Sequence, residues 1–276
     1  MVVIHLGNMQ KVKIIAEIGI NHSGKLENAK KLIQAAKDSG CDYGKLQTYI
    51  TEKRVKSDSP IFDILKKCEL SFSEQEKLFK FSKEIDFEIF STPFDNESVN
   101  FLESVGCQIL KIASFDSINK ELLTKVSETK KQSIISTGMT NESELNEAIS
   151  ILENSNFKAI ILHCISSYPL HENNALLSNI RYLKKKYPKN SIGFSDHSVG
   201  IKVPILAAAA GAEVIEKHFT IDDIDEGPDN SISLNKIGMT ELVNEIKKLE
   251  TIFGNPALGI RGSENEIVQY RRNRIL

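Results

Sequence analysis

QSIISTGMTNESELNEAISILENSNFKAIILHC, residues 132–164, reads as a strand, a helix and a second strand in succession. The apolar runs QSIISTG (132–138) and KAIILHC (158–164) are of strand length. Between them Leu145, Ile149 and Leu152 recur at helical spacing, and Asn141 followed by Glu144 has the pattern of a capping box. Strands joined through a helix pair in parallel, because only a long crossover lets the second run in the same direction. The pattern continues outward in both directions. KIIAEIG (13–19), YGKLQTY (43–49), FEIFST (87–92) and QILKIAS (108–114) precede this unit, and SIGFSD (191–196) and AEVIEKHF (212–219) follow it. Eight such units in 276 residues predict an α/β chain closed into a (β/α)8 TIM barrel, with a doubly wound sheet as the alternative. The reading is one domain over 1–276, with about 251–276 as an extension following the last helix.

Composition narrows the function classes. A net charge of −2 and an ordinary 41% hydrophobic, 26% charged balance give no global basicity for nucleic acid or an anionic membrane. The first residues contain no apolar stretch of secretory type, and ILAAAAGAEVI is too short and interrupted to span a bilayer. Cys41, Cys68, Cys107 and Cys164 stand far apart with no CxxC pair, as expected of reduced, mostly buried thiols in a cytoplasmic protein. Residues 50–71 make an unusually long second βα connection, a segment expected to shape the mouth of a site. Arg271, Arg272 and Arg274 form a basic end, read as a solvated or packed terminus rather than a nucleic-acid tail.

In such a barrel the chemistry sits at the C-terminal ends of the strands. Every strand end here is polar: Glu17, Lys45 and Gln47, Thr92, Lys111 and Ser114, Ser136, His163 to Tyr168, Ser195 to Ser198, and Glu216 to His218. An inward lysine costs desolvation unless an anion accompanies it. Lys45 and Lys111, with the hydroxyls of Thr92, Ser114, Ser136, Ser166 and Ser195, would therefore form a cup for phosphate and carboxylate; a structural Lys–Glu pair is the alternative. His197 and His218, on neighbouring strand ends, suit one shared divalent ion or two hydrogen-bonded core positions. His22 and His163 are alternative ligands or acid–base groups.

IIAEIGINHSG, GKLQTY, FSTPFD, LKIASFD, IISTGM, LHCISSYP, GFSDHS, VIEKHFT and EGPDNSISL occur in this order. On these motifs the chain resembles the sialic acid synthase family, the N-acetylneuraminate, legionaminate and pseudaminate synthases, over residues 12–276. The resemblance implies a transferase that condenses phosphoenolpyruvate with an N-acylated mannosamine-like sugar and water, giving a nine-carbon keto sugar acid and phosphate. It also implies a divalent cofactor, Mn²⁺ with Mg²⁺ or Co²⁺ as alternatives, held by His197 and His218. By the same resemblance Lys45, Lys111, Thr92, Ser114, Ser136 and Ser195 surround phosphoenolpyruvate, and Glu17, Gln47, Tyr168 and Asp229 surround the sugar and the reacting centre. Ser166 stands where neuraminate synthases often carry Asn. The chain stops where relatives continue into a small antifreeze-like domain, so the expectation is a barrel-only homodimer or one completed by a separately encoded domain. The GINH loop and the GPDNSISL segment tilt the expected substrate towards the neuraminate and legionaminate branches. Two alternatives share the barrel: an aldolase-type lyase with Lys45 or Lys111 as a Schiff base, and a non-catalytic sugar or phosphoenolpyruvate binder.

Overall fold

A computed structural model describes residues 11–153, 157–222, 227–254 and 257–272. Arg274 of the basic end lies outside them. Eight parallel strands close into a barrel in sequence order: β1 (Lys13–Gly19), β2 (Tyr43–Thr48), β3 (Ile89–Pro93), β4 (Ile109–Ile112), β5 (Gln132–Ser136), β6 (Ile160–Cys164), β7 (Ile192–Asp196) and β8 (Val214–His218). All eight expected strands are present, trimmed by up to two residues at an end. A doubly wound sheet is excluded because β1 pairs with both β2 and β8.

The helices follow from amphipathic spacing and from caps. The main ones are α1 (Leu26–Asp38), α4 (Phe72–Glu84), α5 (Asn96–Ser104), α6 (Lys120–Glu128), α7 (Glu142–Leu152), α8 (Ser178–Lys186), α9 (Lys202–Ala209) and α10 (Lys236–Phe253). The α7 capping box forms as read: Asn141 accepts from the Glu144 backbone, and Glu144 answers to the Asn141 backbone. Leu145, Ile149 and Leu152 are buried against the barrel. Helix α10 runs to Phe253, so the extension begins a few residues later than expected, and its described part is two exposed 3-10 turns. No described helix is long and apolar enough to cross a membrane. The four cysteines are free and buried.

The long second connection folds into two short helices, α2 (Thr51–Arg54) and α3 (Phe62–Cys68). Both are pinned from outside themselves. The Ile50 backbone donates to Asp95 at 3.0 Å, the Thr51 backbone donates to Glu69 at 3.0 Å, and Tyr49 Oη donates to the Leu65 carbonyl at 2.9 Å. The segment is therefore a fixed rim rather than a loose loop. Inside the barrel, Gly193 keeps the floor closed: a Cβ there would lie 2.4 Å from the Val214 carbonyl and 2.5 Å from Leu162. Any side chain at that position would push strands apart.

Candidate active site

Side chains alternate across a strand, so one residue near each strand end points into the barrel mouth. Here all eight strands contribute: Glu17, Lys45, Thr92, Lys111, Ser136, Cys164, Ser195 and Glu216 line one cavity of about 310 Å³. Gln47, Ser114, Tyr168, His197, His218 and Asp229 line it as well. Of the residues expected from sequence, only Ser166 does not. It lies beside the wall, where a Cβ on Gly138 would come within 2.3 Å of its hydroxyl, and that hydroxyl is buried without a partner. Ser114 sits just past β4, in a 3-10 turn, and accepts from the Gly138 backbone at 3.1 Å.

The cup is built around Glu216, which the sequence offers only as one polar residue at the end of β8. Glu216 accepts from Lys45 at 2.8 Å and from Ser195 at 3.0 Å, and lies 3.9 Å from Lys111. Lys45 also reaches Glu17 at 3.3 Å, and Lys111 donates to Ser136 at 2.6 Å. All four ionisable groups are buried. Burial works against the charge of Lys45, but Glu17 and Glu216 outweigh it and hold its pKa above the ordinary value. Lys111 has fewer partners, and burial lowers it to about 8 despite Glu216. Burial would raise Glu216, yet the two lysines and Ser195 bring it down to about 2. Glu17 moves the other way, to about 7: burial raises it, Lys45 pulls it back, and nearby Glu216 adds to the rise. Two carboxyls in one cavity are thus separated in acidity, one a fixed anion and one able to take or release a proton near neutrality.

The imidazoles stand beside this cup, His218 two residues past Glu216 on β8 and in register with Glu17 on β1. His197 and His218 have ring centroids 5.4 Å apart, and Tyr168 lies 4.0 Å from His197, tilted by 33°. Nδ1 of His197 donates to the Ile165 carbonyl at 2.9 Å, which leaves Nε2 as its lone-pair nitrogen. His218 is held well below the usual imidazole pKa, by burial first and then by His197 and Lys45. Its Nδ1 is buried without a hydrogen bond, 3.5 Å from Asp229. Burial works against the charge of His197, but the Cys164 thiol and the Ile165 carbonyl outweigh it and hold its pKa above the ordinary value. The neutral His218 and the Nε2 of His197 are the two nitrogens that could serve a divalent ion. Among the described residues no third His, Cys, Asp or Glu completes a cluster, so water or substrate oxygens would fill the remaining positions.

The other histidines do not join them. His22 accepts from the Gly24 backbone at 3.1 Å, and burial lowers its pKa to about 4. His163 is bonded to the Ala175 carbonyl at 2.8 Å on the outer side of β6. There it borders a larger groove of about 550 Å³ between α7 and α8, whose Glu142 is already paired with Lys186 and Tyr182.

Two further groups belong to the site's surroundings, Arg54 and Asn21, of which Arg54 carries no signal in the sequence. Arg54, from α2, lines the cavity with its guanidinium 3.6 Å from the centre of the Phe94 ring. Asn21 ties the loop carrying Asp229 to the end of β1, accepting from the Asp229 backbone at 3.1 Å and donating to the Phe219 carbonyl at 3.0 Å.

Comparison with known proteins identifies the family of the chain. A sequence profile described as NeuB family matches residues 32–257. The N,N'-diacetyllegionaminic acid synthase of Campylobacter jejuni is 34% identical over 97% of this chain and 85% of its own. The pseudaminic acid synthase of Helicobacter pylori is 33% identical over 89% and 76%. The crystal structure of N-acetylneuraminic acid synthetase from Leptospira borgpetersenii, in complex with citrate, superposes with a TM-score of 0.90 at 38% identity, covering 98% of this chain and 95% of that one.

Proposed function

Since the chain belongs to the NeuB family of sialic acid synthases, we propose that it condenses phosphoenolpyruvate with an N-acylated mannosamine-like sugar and water, releasing phosphate. The observation that carries this reading is the buried set Lys45, Lys111, Glu216 and Glu17 at one barrel mouth, lining a cavity of about 310 Å³ together with His197 and His218. Two cations share one permanently ionised carboxylate, so an incoming trianion finds donors without a bare positive charge having been buried beforehand. Lys111, Ser136, Ser114 and Ser195 supply directional hydrogen bonds around it.

C3 of the enol phosphate attacks the carbonyl carbon of the acceptor, and positive charge develops at C2. Glu17, held at 3.1 Å by Gln47 and at 3.3 Å by Lys45, stands on that wall to stabilise the charge. It then accepts a proton from the water that adds to C2, a proton that goes on to the acceptor's new alkoxide; the remaining hydroxyl proton leaves with phosphate as the C–O bond breaks, and the lysines receive the phosphate. His197 and His218 would hold a divalent cation, Mn²⁺, Mg²⁺ or Co²⁺, which when bound supplies Lewis acidity to the acceptor carbonyl. Asp229, its backbone fixed by Asn21, faces His218 and would accept sugar hydroxyls.

Phosphate release from phosphoenolpyruvate with Mn²⁺ and a panel of N-acyl hexosamines tests the reading. Release that depends on both the sugar and Glu17 is expected. No release with any sugar, together with tight phosphoenolpyruvate binding by calorimetry, would replace it with a non-catalytic binder.

A further inference from the structure

The mouth of the cavity holds a cation that the reaction above does not use. Arg54 closes the four-residue helix α2, and its guanidinium lies over two rings, 3.6 Å from the centroid of Phe94 and 4.7 Å from that of Tyr49. Those rings pack edge to face at 6.2 Å, and the pinned start of α2 holds the segment that carries Arg54. A guanidinium offers five N–H donors. Among the described residues this one makes a single hydrogen bond, to Gln47 Oε1 at 3.0 Å, and no ion pair. A stacked cation with open donors beside a substrate cavity is arranged to receive an oxygen atom from a ligand.

The neighbours decide what kind of oxygen. Asp116 and Asp229 are the carboxylates acting most strongly on Arg54. Lys45 and Lys111 are committed to Glu17, Glu216 and Ser136 deep in the barrel. Of these only Asp229 lines the same cavity as Arg54, so a phosphate dianion at the mouth would meet a carboxylate beside its one cation and lose much of the attraction. A neutral carbonyl oxygen meets no such cost. Ile61 and Ile64 of the same connecting segment line the cavity and remain about half exposed, 47% each, which suits a small apolar group beside that carbonyl.

Resting on the condensation reading, we infer that Arg54 grips an acyl carbonyl oxygen of the acceptor sugar, its methyl lying on Ile61 and Ile64, and that this acceptor carries no phosphate. The bond to Gln47, which itself donates to Glu17 at 3.1 Å, places the gripped sugar in register with the reacting wall.

The test uses N-acetylmannosamine, a diacetamido trideoxy analogue of it, and the phosphate ester of the first. R54M keeps an apolar stem on the rings and removes the donors; R54K restores a charge without the planar fork. Saturation-transfer NMR with phosphoenolpyruvate-loaded enzyme reads sugar contact whether or not turnover follows. The expected result is acyl-methyl contact for an unphosphorylated sugar, weakened about tenfold to a hundredfold in R54M and partly regained in R54K. The KM for sugar should rise in parallel while the KM for phosphoenolpyruvate stays within about twofold, a split that a merely structural arginine would not produce. Preference for the phosphate ester, sugar affinity unchanged in R54M, or no sugar contact at all would overturn the inference. Arg54-dependent contact without phosphate release would uphold it and sink the condensation reading. Release with a sugar KM indifferent to Arg54 would do the reverse.

Discussion

Lys45 and Glu216 meet at 2.8 Å in the floor of the cavity, both buried, on strands that do not touch each other. The pair spans β1, and it gives Lys45 a counter-ion before any substrate arrives. Removing one member of a buried pair typically costs about 3–5 kcal/mol, because the other is left uncompensated. E216Q should therefore lower the urea midpoint strongly. It should also make inorganic phosphate a better stabiliser than in the parent, since the anion takes over the vacated role. Equal phosphate stabilisation of both proteins would contradict the counter-ion assignment.

Glu17 gives the pH dependence a sign. Its folded pKa of about 7 lies above its ordinary 4.5. Between these values the folded state keeps a proton that the unfolded chain releases. The group's contribution to stability is thus fully present below 4.5 and is lost as pH rises through about 7. Activity should run the opposite way, because the carboxylate is the working form. We expect kcat to rise through about pH 7 and, in E17Q, to fall by about a hundredfold to ten-thousandfold with that rise abolished. An unchanged pH profile in E17Q would show that the titrating group lies elsewhere.

Lys111, lowered to about 8, is the amine best suited to attack a carbonyl, and it is what an aldolase-type lyase would use. Its bonds to Ser136 and the Ile112 carbonyl instead hold it as a hydrogen-bond donor. Borohydride added with pyruvate should leave the mass of the protein unchanged. K111M should weaken phosphoenolpyruvate binding by about tenfold or more. A trapped adduct on Lys111 would support the lyase.

For the imidazole wall, chelation should abolish phosphate release and added Mn²⁺ should restore it. Electron paramagnetic resonance should count one Mn²⁺ per chain. H218A should lose both the bound Mn²⁺ and the restoration. Full activity after exhaustive chelation would remove the metal from the reaction.

Lys217 and Asp196 pair at 2.7 Å, each with a fully buried side chain, and Lys217 also donates to the Ser198 carbonyl. K217M alone should destabilise by about 3–5 kcal/mol. Combining it with D196L should recover much of that loss with kcat little changed, as measured by denaturant unfolding and phosphate release. A loss of turnover in the double variant that exceeds its loss of folded protein would give the pair a part in catalysis.

The barrel was legible because its period is regular. Alternating strands and helices, the Asn141 cap and the polar strand ends each report a local rule, and the lysine and histidine positions follow from them. Glu216 was legible as a polar strand end, and its role follows from standing two residues before His218, on the same face by strand alternation. Arg54 was not. It belongs to a four-residue helix inside an irregular connection, where no period indicates which side chain turns inward. Ser166 lies between Cys164 and Tyr168, both on the cavity lining, with its own hydroxyl turned to Gly138 beside Ser114. Lys217 shares the polar strand end of β8 but faces the helices, where only the packed structure reveals Asp196 waiting for it.

Glu216, Lys217 and His218 follow one another on β8, and consecutive side chains leave the strand on opposite sides. The middle residue is bolted to β7 behind the wall, which pins the two outer ones in front of it. A single-residue insertion or deletion in β8 would send the lysine into the cavity and both working groups out among the helices. The spacing of this strand therefore behaves as a combination lock with one setting.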